Sequence, residues 1–368
     1  MSIKVLVISD FRMYHPARPE AELFMGLTKI GFNITIMTYS NSDYTPELKN
    51  AGIKVVEFHP EKKFNKAEIS IIRKELIEGS YDILHLFNSK AIINGIRAAK
   101  RLPVKVVLYR GFAGHVHWYD PSSYLKYLNP GVDTIVCNSR GVEESIRRQL
   151  IINKKKAITI LKGHRLEWYE NYTPVNLNSE FNIPKNAFVV INVANYRPMK
   201  GIEYLLKAMD LLPEDAPIFL LLVGKNMDNP KISKVISNNR NKEKIILAGF
   251  RTDALNIVAS CQLFVLSSVK GEGLNKAVIE AMSQGKPAIV TDIPGNRDLV
   301  DDNKNGFLIP PRDTKKMSES ILFMYQNPER FSQMGINARK YVETKLNLDT
   351  AIVQHKELYE KLFRNKLS

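Results

Sequence analysis

The sequence predicts an α/β protein made of two doubly wound, Rossmann-like domains facing one another across a cleft. Short apolar runs recur along all 368 residues, with helix-length amphipathic stretches between them. Most of these runs are continuous Val, Ile and Leu, which is how strands buried on both faces of a parallel sheet read. The rhythm occurs twice, on either side of a polar, proline-containing stretch at 170–179. A chain of this length also exceeds the roughly 250–300 residues at which a single core stops growing.

In order, the first half places strands at 4–9, 33–39, 53–58, 83–87, 105–109, 134–138 and 157–161, with an amphipathic helix at 20–29 after the first. The second half places strands at 188–194, 218–223, 244–248, 263–267, 287–291 and 306–309, with a helix at 202–211. Residues 348–363 read as an amphipathic helix presenting Ile352, Leu358, Tyr359, Leu362 and Phe363 to one side. The expected division is an amino-terminal domain over 1–170, a hinge over 171–182 and a second domain over 183–347, with 348–368 returning to the first domain. Ligands of open α/β sheets bind outside the carboxyl ends of the strands, so the cleft is where function is expected.

Hydrophobic content of 44% and charged content of 25% suit a protein with a sizeable core. No run approaches the ~20 apolar residues of a membrane helix, and the apolar start is too short for a signal peptide. Cys137 and Cys261 lie in strand-like runs and suit a reducing compartment, so a cytoplasmic location is expected. The formal net charge is +15, and residues 1–170 hold 26 Lys and Arg against 17 Asp and Glu. This charge reads as a solvated basic surface, as a face for a phosphorylated substrate, or as a face for an anionic membrane, which would place the protein peripherally on the inner face of the cytoplasmic membrane. Nucleic acid is not an expected partner, because no helix-turn-helix, zinc-finger or RNP signature accompanies the charge.

The most specific stretch runs from Ser267 to Pro287. A buried strand ends near Ser268, a glycine-flanked loop carries Glu272, and Asn275 caps a helix stopped by Gly285 and Pro287. Five residues of helix place Glu280 roughly 7.5 Å beyond the cap. Two carboxylates so spaced suit opposite ends of an extended polar ligand, each accepting from hydroxyls. Gly273, Leu274 and Asn275 supply the helix start, whose free amides can take a phosphate. The second signal is Val193 to Glu203, where a strand gives way to a helix through Asn195, Arg197, Lys200 and Gly201. Lys and Arg at a helix N-terminus fit a diphosphate.

Glu272-x7-Glu280 followed by Ala281-Met282, Gly285, Pro287 and Thr291 resembles the signature of the family 4 glycosyltransferases, retaining enzymes of GT-B fold. The resemblance extends along nearly the whole chain, through the first strand, Val136-Cys137-Asn138-Ser139 and the Lys200-Gly201 helix start. It implies that Glu272 binds the hydroxyls of the donor sugar, Glu280 the donor ribose and Lys200 the donor diphosphate. The family's arginine falls at Asn195 here, with Arg197 as a displaced substitute. The paired-glycine loop of many relatives is replaced by residues 9–20, where Arg12, His15 and Arg18 suit a phosphate or an acidic acceptor, or else a solvated turn. Arg110 stands where many relatives place a histidine near the reacting sugar, with His115 and His117 following. The role of Gly163-His164-Arg165 stays open.

The implied activity is transfer of a sugar from a nucleotide-diphosphate-sugar donor to a hydroxyl acceptor, with retention and without metal. A carbohydrate or lipid-linked acceptor in cell-envelope polysaccharide or lipopolysaccharide assembly is expected. No cofactor is implied, since the nucleotide-sugar is a substrate. His115-x-His117 lacks a third metal ligand at recognisable spacing. Two alternatives remain: a sugar-nucleotide epimerase or phosphorylase of the same architecture, and a two-lobed sugar-binding module without catalysis.

Overall fold

The expected strands all form, each within two residues of its expected bounds. The computed structural model describes residues 2–367, the side chains of His15 and Leu367 excepted. It divides into two compact units, one comprising 1–164 with 346–368 and the other 165–345. The first contains β1 (Lys4–Ile8), β2 (Asn33–Thr38), β3 (Lys54–Glu57), β4 (Ile83–Leu86), β5 (Lys105–Arg110), β6 (Thr134–Cys137) and β7 (Ala157–Thr159). The second contains β8 (Phe188–Val193), β9 (Ile218–Val223), β10 (Ile245–Gly249), β11 (Leu263–Leu266), β12 (Ala288–Thr291) and β13 (Gly306–Ile309).

Both sheets are parallel, in the orders β3-β2-β1-β4-β5-β6-β7 and β10-β9-β8-β11-β12-β13. Strand order reverses between β1 and β4 in one unit and between β8 and β11 in the other. These switch points leave a crevice beyond the strand ends, where a ligand fits. Each unit buries its own apolar cluster, around Leu6, Leu84, Leu108 and Ile135 in the first and around Val190, Leu206, Leu220 and Val265 in the second.

The first helix runs over Tyr14–Lys29, six residues longer than expected at its start. Pro16 and Pro19 suggest a turn, but Pro16 lies in the first helical turn, where a missing N–H removes no intrahelical bond. Burial of Ala17, Ala21, Phe24 and Leu27 carries the helix past Pro19. Residues 171–182 contain a short helix, Leu177–Phe181, capped by Asn176, and belong to the second unit.

The last helix, Leu348–Leu367, packs on the first unit. Gly26 makes room for Ile352, whose Cδ1 would lie 2.2 Å from a Cβ at that position. Lys366 pairs with Asp82 at 2.6 Å, and the Tyr359 hydroxyl lies 2.7 Å from Nδ1 of buried His85. The tripeptide whose role was open anchors this return: the His164 amide donates to the Leu346 carbonyl at 2.6 Å, and the His164 carbonyl accepts from the Leu348 amide at 3.0 Å. Among the described residues, no helix is long and apolar enough to cross a membrane.

Candidate functional site

In the second unit, the loops leaving β8 and β11 meet at the switch point. The β8 loop passes through a tight turn, Pro198–Lys200, into Gly201, which has φ +61° and starts the helix Ile202–Asp210. A Cβ on Gly201 would stand 2.3 Å from the Ser267 carbonyl, so both conformation and space require glycine there. Two bonds lock the loops together: the Ser267 hydroxyl donates to the Lys200 carbonyl at 3.0 Å, and the Val269 amide donates to the Met199 carbonyl at 2.8 Å.

This clamp aims Lys200 at Glu272. Lys200 Nζ lies 2.6 Å from Glu272 Oε1, with both side chains largely buried. The Ser268 hydroxyl donates to the same oxygen at 2.6 Å, and the Asn275 amide group donates to Oε2 at 3.3 Å. A third loop backs the site. A Cβ on Gly295 would come within 2.2 Å of the Gly273 carbonyl and 2.5 Å of the Glu272 carbonyl. The Thr291 hydroxyl, at the end of β12, donates to the Ser268 carbonyl.

Asn275 caps the helix Lys276–Ser283, accepting from the Ala277 amide at 3.1 Å and the Val278 amide at 3.4 Å. Among the described residues, no acceptor takes the amides of Gly273 or Leu274. Glu280 lies one turn along the helix from Lys276 and pairs with it. Both carboxylates singled out in the sequence therefore have an ammonium partner. Arg197 is exposed, and no ion pair holds its guanidinium among the described residues. Asn195 acts as a backbone clamp instead, its Oδ1 accepting from the Lys225 amide at 2.9 Å.

In the first unit, a cavity of about 610 Å³ opens at the β1/β4 switch point, lined by Ser9, Asp10, Arg12, Glu20, Asn88 and Tyr109 among others. Arg12 grips Asp10 through two hydrogen bonds of 2.9 and 2.7 Å and stacks its guanidinium 3.8 Å from the Tyr39 ring centroid. Its hydrogen bonds hold the Asp10 carboxyl below the usual range. Glu20 accepts from the Ser9 hydroxyl at 3.2 Å and from Lys162 at 3.1 Å. Burial pulls the Lys162 ammonium down, but Glu20 and Tyr109 outweigh it and push its pKa up to about 12.

Glu20, Lys162 and Ser268 were missed by sequence reasoning. Ser268 sits four residues before Glu272, on the strand end that carries it, and so carried a local signal. Glu20 and Lys162 are 142 residues apart and carried none.

Arg110 ends β5 and is only 4% exposed. Its guanidinium lies 3.8 Å from the Phe112 ring centroid and 4.7 Å from that of Tyr127, and it donates to the Gly114 carbonyl. These contacts hold the loop after β5. On that loop, His117 stacks on Tyr119 and His115 has φ +56°. The side chain of His15 lies outside the described residues. Cys137 and Cys261 are both free and buried.

Two family models match the chain, "Glycosyltransferase Family 4" over residues 21–168 and "Glycosyl transferases group 1" over residues 176–341. An uncharacterised glycosyltransferase of Methanocaldococcus jannaschii is 25% identical, over 70% of this chain and 66% of its own length. An Escherichia coli UDP-Gal:α-D-GlcNAc-diphosphoundecaprenol α-1,3-galactosyltransferase is 27% identical, over 80% of this chain and 79% of its own. Among solved structures, a Rickettsia africae glycosyltransferase superposes with a TM-score of 0.82 at 18% identity, covering 99% of both chains. Anabaena HepE, crystallised with UDP-glucose, superposes with a TM-score of 0.75 at 18% identity, covering 98% of this chain and 100% of its own. The two models fall one in each half of the chain, and the chain is a glycosyltransferase of GT-B fold.

Proposed function

We propose that the protein transfers a sugar from a nucleoside-diphosphate donor to a hydroxyl of a lipid-linked or polysaccharide acceptor in cell-envelope assembly, with retention and without a metal ion. The observation that carries this is the convergence of Lys200, Glu272 and the acceptor-free amides of Gly273 and Leu274 at the β8/β11 switch point. An ammonium and amides at a helix start suit a diphosphate, and a fixed carboxylate beside them suits sugar hydroxyls. Glu280, one turn along, suits a ribose, and exposed Arg197 is free to reach the diphosphate. The Escherichia coli relative is named for a diphosphoundecaprenol-linked acceptor, which supports a lipid-linked acceptor and hence work at an anionic membrane surface. The cavity holding Asp10, Arg12 and Glu20 offers this acceptor its hydroxyl-binding groups, with Arg110 as a positioning residue for the adjoining loop.

In the reaction, the bond from the anomeric carbon to the diphosphate oxygen breaks and a bond to the acceptor oxygen forms on the same face. The acceptor proton passes to the leaving diphosphate. Lys200, Arg197 and the helix-start amides stabilise the charge that grows on the leaving group, so catalysis is electrostatic and positional.

A thermal-shift screen of nucleoside diphosphates and their sugars tests the reading. A ligand at 100 times its dissociation constant stabilises by about 2.7 kcal/mol. Donor turnover that depends on an added acceptor supports transfer, whereas turnover without acceptor, or with phosphate as co-substrate, identifies an epimerase or phosphorylase. Absence of any nucleotide-dependent shift rejects the donor site.

A further inference from the structure

We propose that one face of the first unit docks on an anionic bilayer through an apolar wedge with a cationic rim. The wedge has two parts. Trp118 and Tyr119, on the loop after β5, are 56% and 67% exposed, and Tyr124 and Leu125 follow on a short turn, Pro121–Leu125. Ile151 and Ile152, on the link between the helix Arg140–Arg147 and β7, are 68% and 82% exposed.

These segments are fastened together. The Trp118 amide donates to the Gln149 side chain at 3.1 Å, and the Tyr124 hydroxyl donates to the Trp118 carbonyl at 2.8 Å. Tyr124, Ile151 and Ile152 line one cavity of about 440 Å³ whose floor includes the buried side chains of Leu128 and Leu150. Lys156 braces the base by donating to the Asn129 carbonyl at 3.0 Å.

Solvent-exposed apolar side chains are unremarkable one at a time, but a clustered patch marks an interaction surface. The rim identifies the partner. Lys154 and Lys155 follow the isoleucines after Asn153 and are exposed, as is Arg148. Leu125 also lines a neighbouring cavity with Arg97, Lys100 and Arg101. No ion pair holds Lys100, Arg101, Lys154 or Lys155 among the described residues. The acid in the wedge, Asp120, is occupied by the Ser122 hydroxyl at 2.7 Å. Trp and Tyr favour the headgroup level, Ile the acyl region below it and Lys the anionic surface, and this face carries all three kinds of side chain exposed. The inference rests on the reading that the acceptor is held at a membrane, and it names the surface that brings the enzyme there.

The full chain carries two tryptophans, so Trp168→Phe leaves Trp118 as the reporter. With vesicles of phosphatidylglycerol and phosphatidylcholine, the expected result is co-sedimentation that fades with salt, a blue shift of Trp118 emission and protection from acrylamide. Vesicles of phosphatidylcholine alone should bind far less. Lys154→Gln with Lys155→Gln should weaken binding about thirtyfold, and Ile151→Ser with Ile152→Ser at least about tenfold. Both double variants should keep the nucleotide-dependent thermal shift and transfer to a soluble acceptor, which separates a failed docking face from a failed donor site. Equal binding to both vesicle types, binding without a Trp118 response, or binding untouched by the isoleucine changes would overturn the proposal. So would a solution dimer that dissociates on the isoleucine changes, which would make a second copy of the chain the occupant.

Discussion

Replacing Lys200 by alanine removes one member of a nearly dry ion pair, and its consequences separate stability from catalysis. The side chains of Lys200 and Glu272 are 16% and 9% exposed, with nitrogen and oxygen 2.6 Å apart. Breaking such a pair from one side costs about 3–5 kcal/mol, because the remaining charge stays buried without its partner. Glu272 would retain the Ser268 hydroxyl and the Asn275 amide group, which places the loss at the lower end, about 3 kcal/mol. For a domain of this size, that lowers the transition of the second unit by about 6–12 °C. Lys200→Ala combined with Glu272→Gln should recover most of this loss, since the amide leaves no buried charge unmatched. Turnover should not recover. If Lys200 stabilises the departing diphosphate, its loss should lower kcat more than it raises KM, by about 3 kcal/mol or a hundredfold. Differential scanning calorimetry and steady-state kinetics on the single and double variants provide the readings. A single variant that melts within about 2 °C of wild type would refute the stability argument. Near-wild-type turnover in a folded Lys200→Ala protein would sink the diphosphate assignment.

Three further outcomes are expected. Glu280→Ala should weaken free nucleoside-diphosphate binding by about 1.5–3 kcal/mol, whereas Glu272→Ala should impair sugar transfer and leave that binding nearly intact; identical losses by calorimetric titration would contradict the two roles. Gly201→Ala, at φ +61° and with its new Cβ 2.3 Å from the Ser267 carbonyl, should lose at least about 1–2 kcal/mol in urea melts from the left-handed conformation alone, and a loss near zero would show that the loops do not meet as described. Burial lowers the pKa of His59 and of His355 to about 4 and holds His85 well below its ordinary value. The unfolded chain takes up these protons first, so stability present above about pH 6.5 should drain away towards pH 4, by about 3 kcal/mol each for His59 and His355 where the shift is fully expressed; a first-unit melting temperature that stays flat from pH 7.5 to 4.5 would refute this.

The sheets were legible because a strand buried on both faces needs nothing but apolar residues, and most of the thirteen runs announced themselves in that way, while the edge strands β3 and β10 are partly exposed. The Asn275 cap was legible for a related reason: its acceptors and donors lie within three residues of one another. The start of the first helix was not, because Pro16 and Pro19 signal a turn locally while the burial of Phe24 and Leu27, a tertiary fact, decides the outcome.

The same distinction runs through the site. Residue types at Lys200, Glu272 and Glu280 stand in the sequence, and so does Lys276, one turn from Glu280; the pairing of Lys200 with Glu272 does not. Lys200 and Glu272 are 72 positions apart, and what joins them is the contact between Gly201 and the Ser267 carbonyl, a matter of which strands lie side by side. That β8 neighbours β11 follows from the switch in strand order, which no local pattern encodes. Asn195 makes the point from the other direction: resemblance places it at a ligand-binding position, whereas its side chain is engaged with the Lys225 amide on the loop after β9. A side chain that fixes a loop from β8 to β9 has little freedom to follow a diphosphate, and Arg197, two residues on and exposed, has that freedom. Asn195→Ala should therefore act through the loop, lowering stability, and Arg197→Ala through the ligand, lowering donor affinity with the fold intact. Thermal melts and calorimetric titration of the two variants decide it, and a loss of donor affinity confined to Asn195→Ala would reverse the assignment.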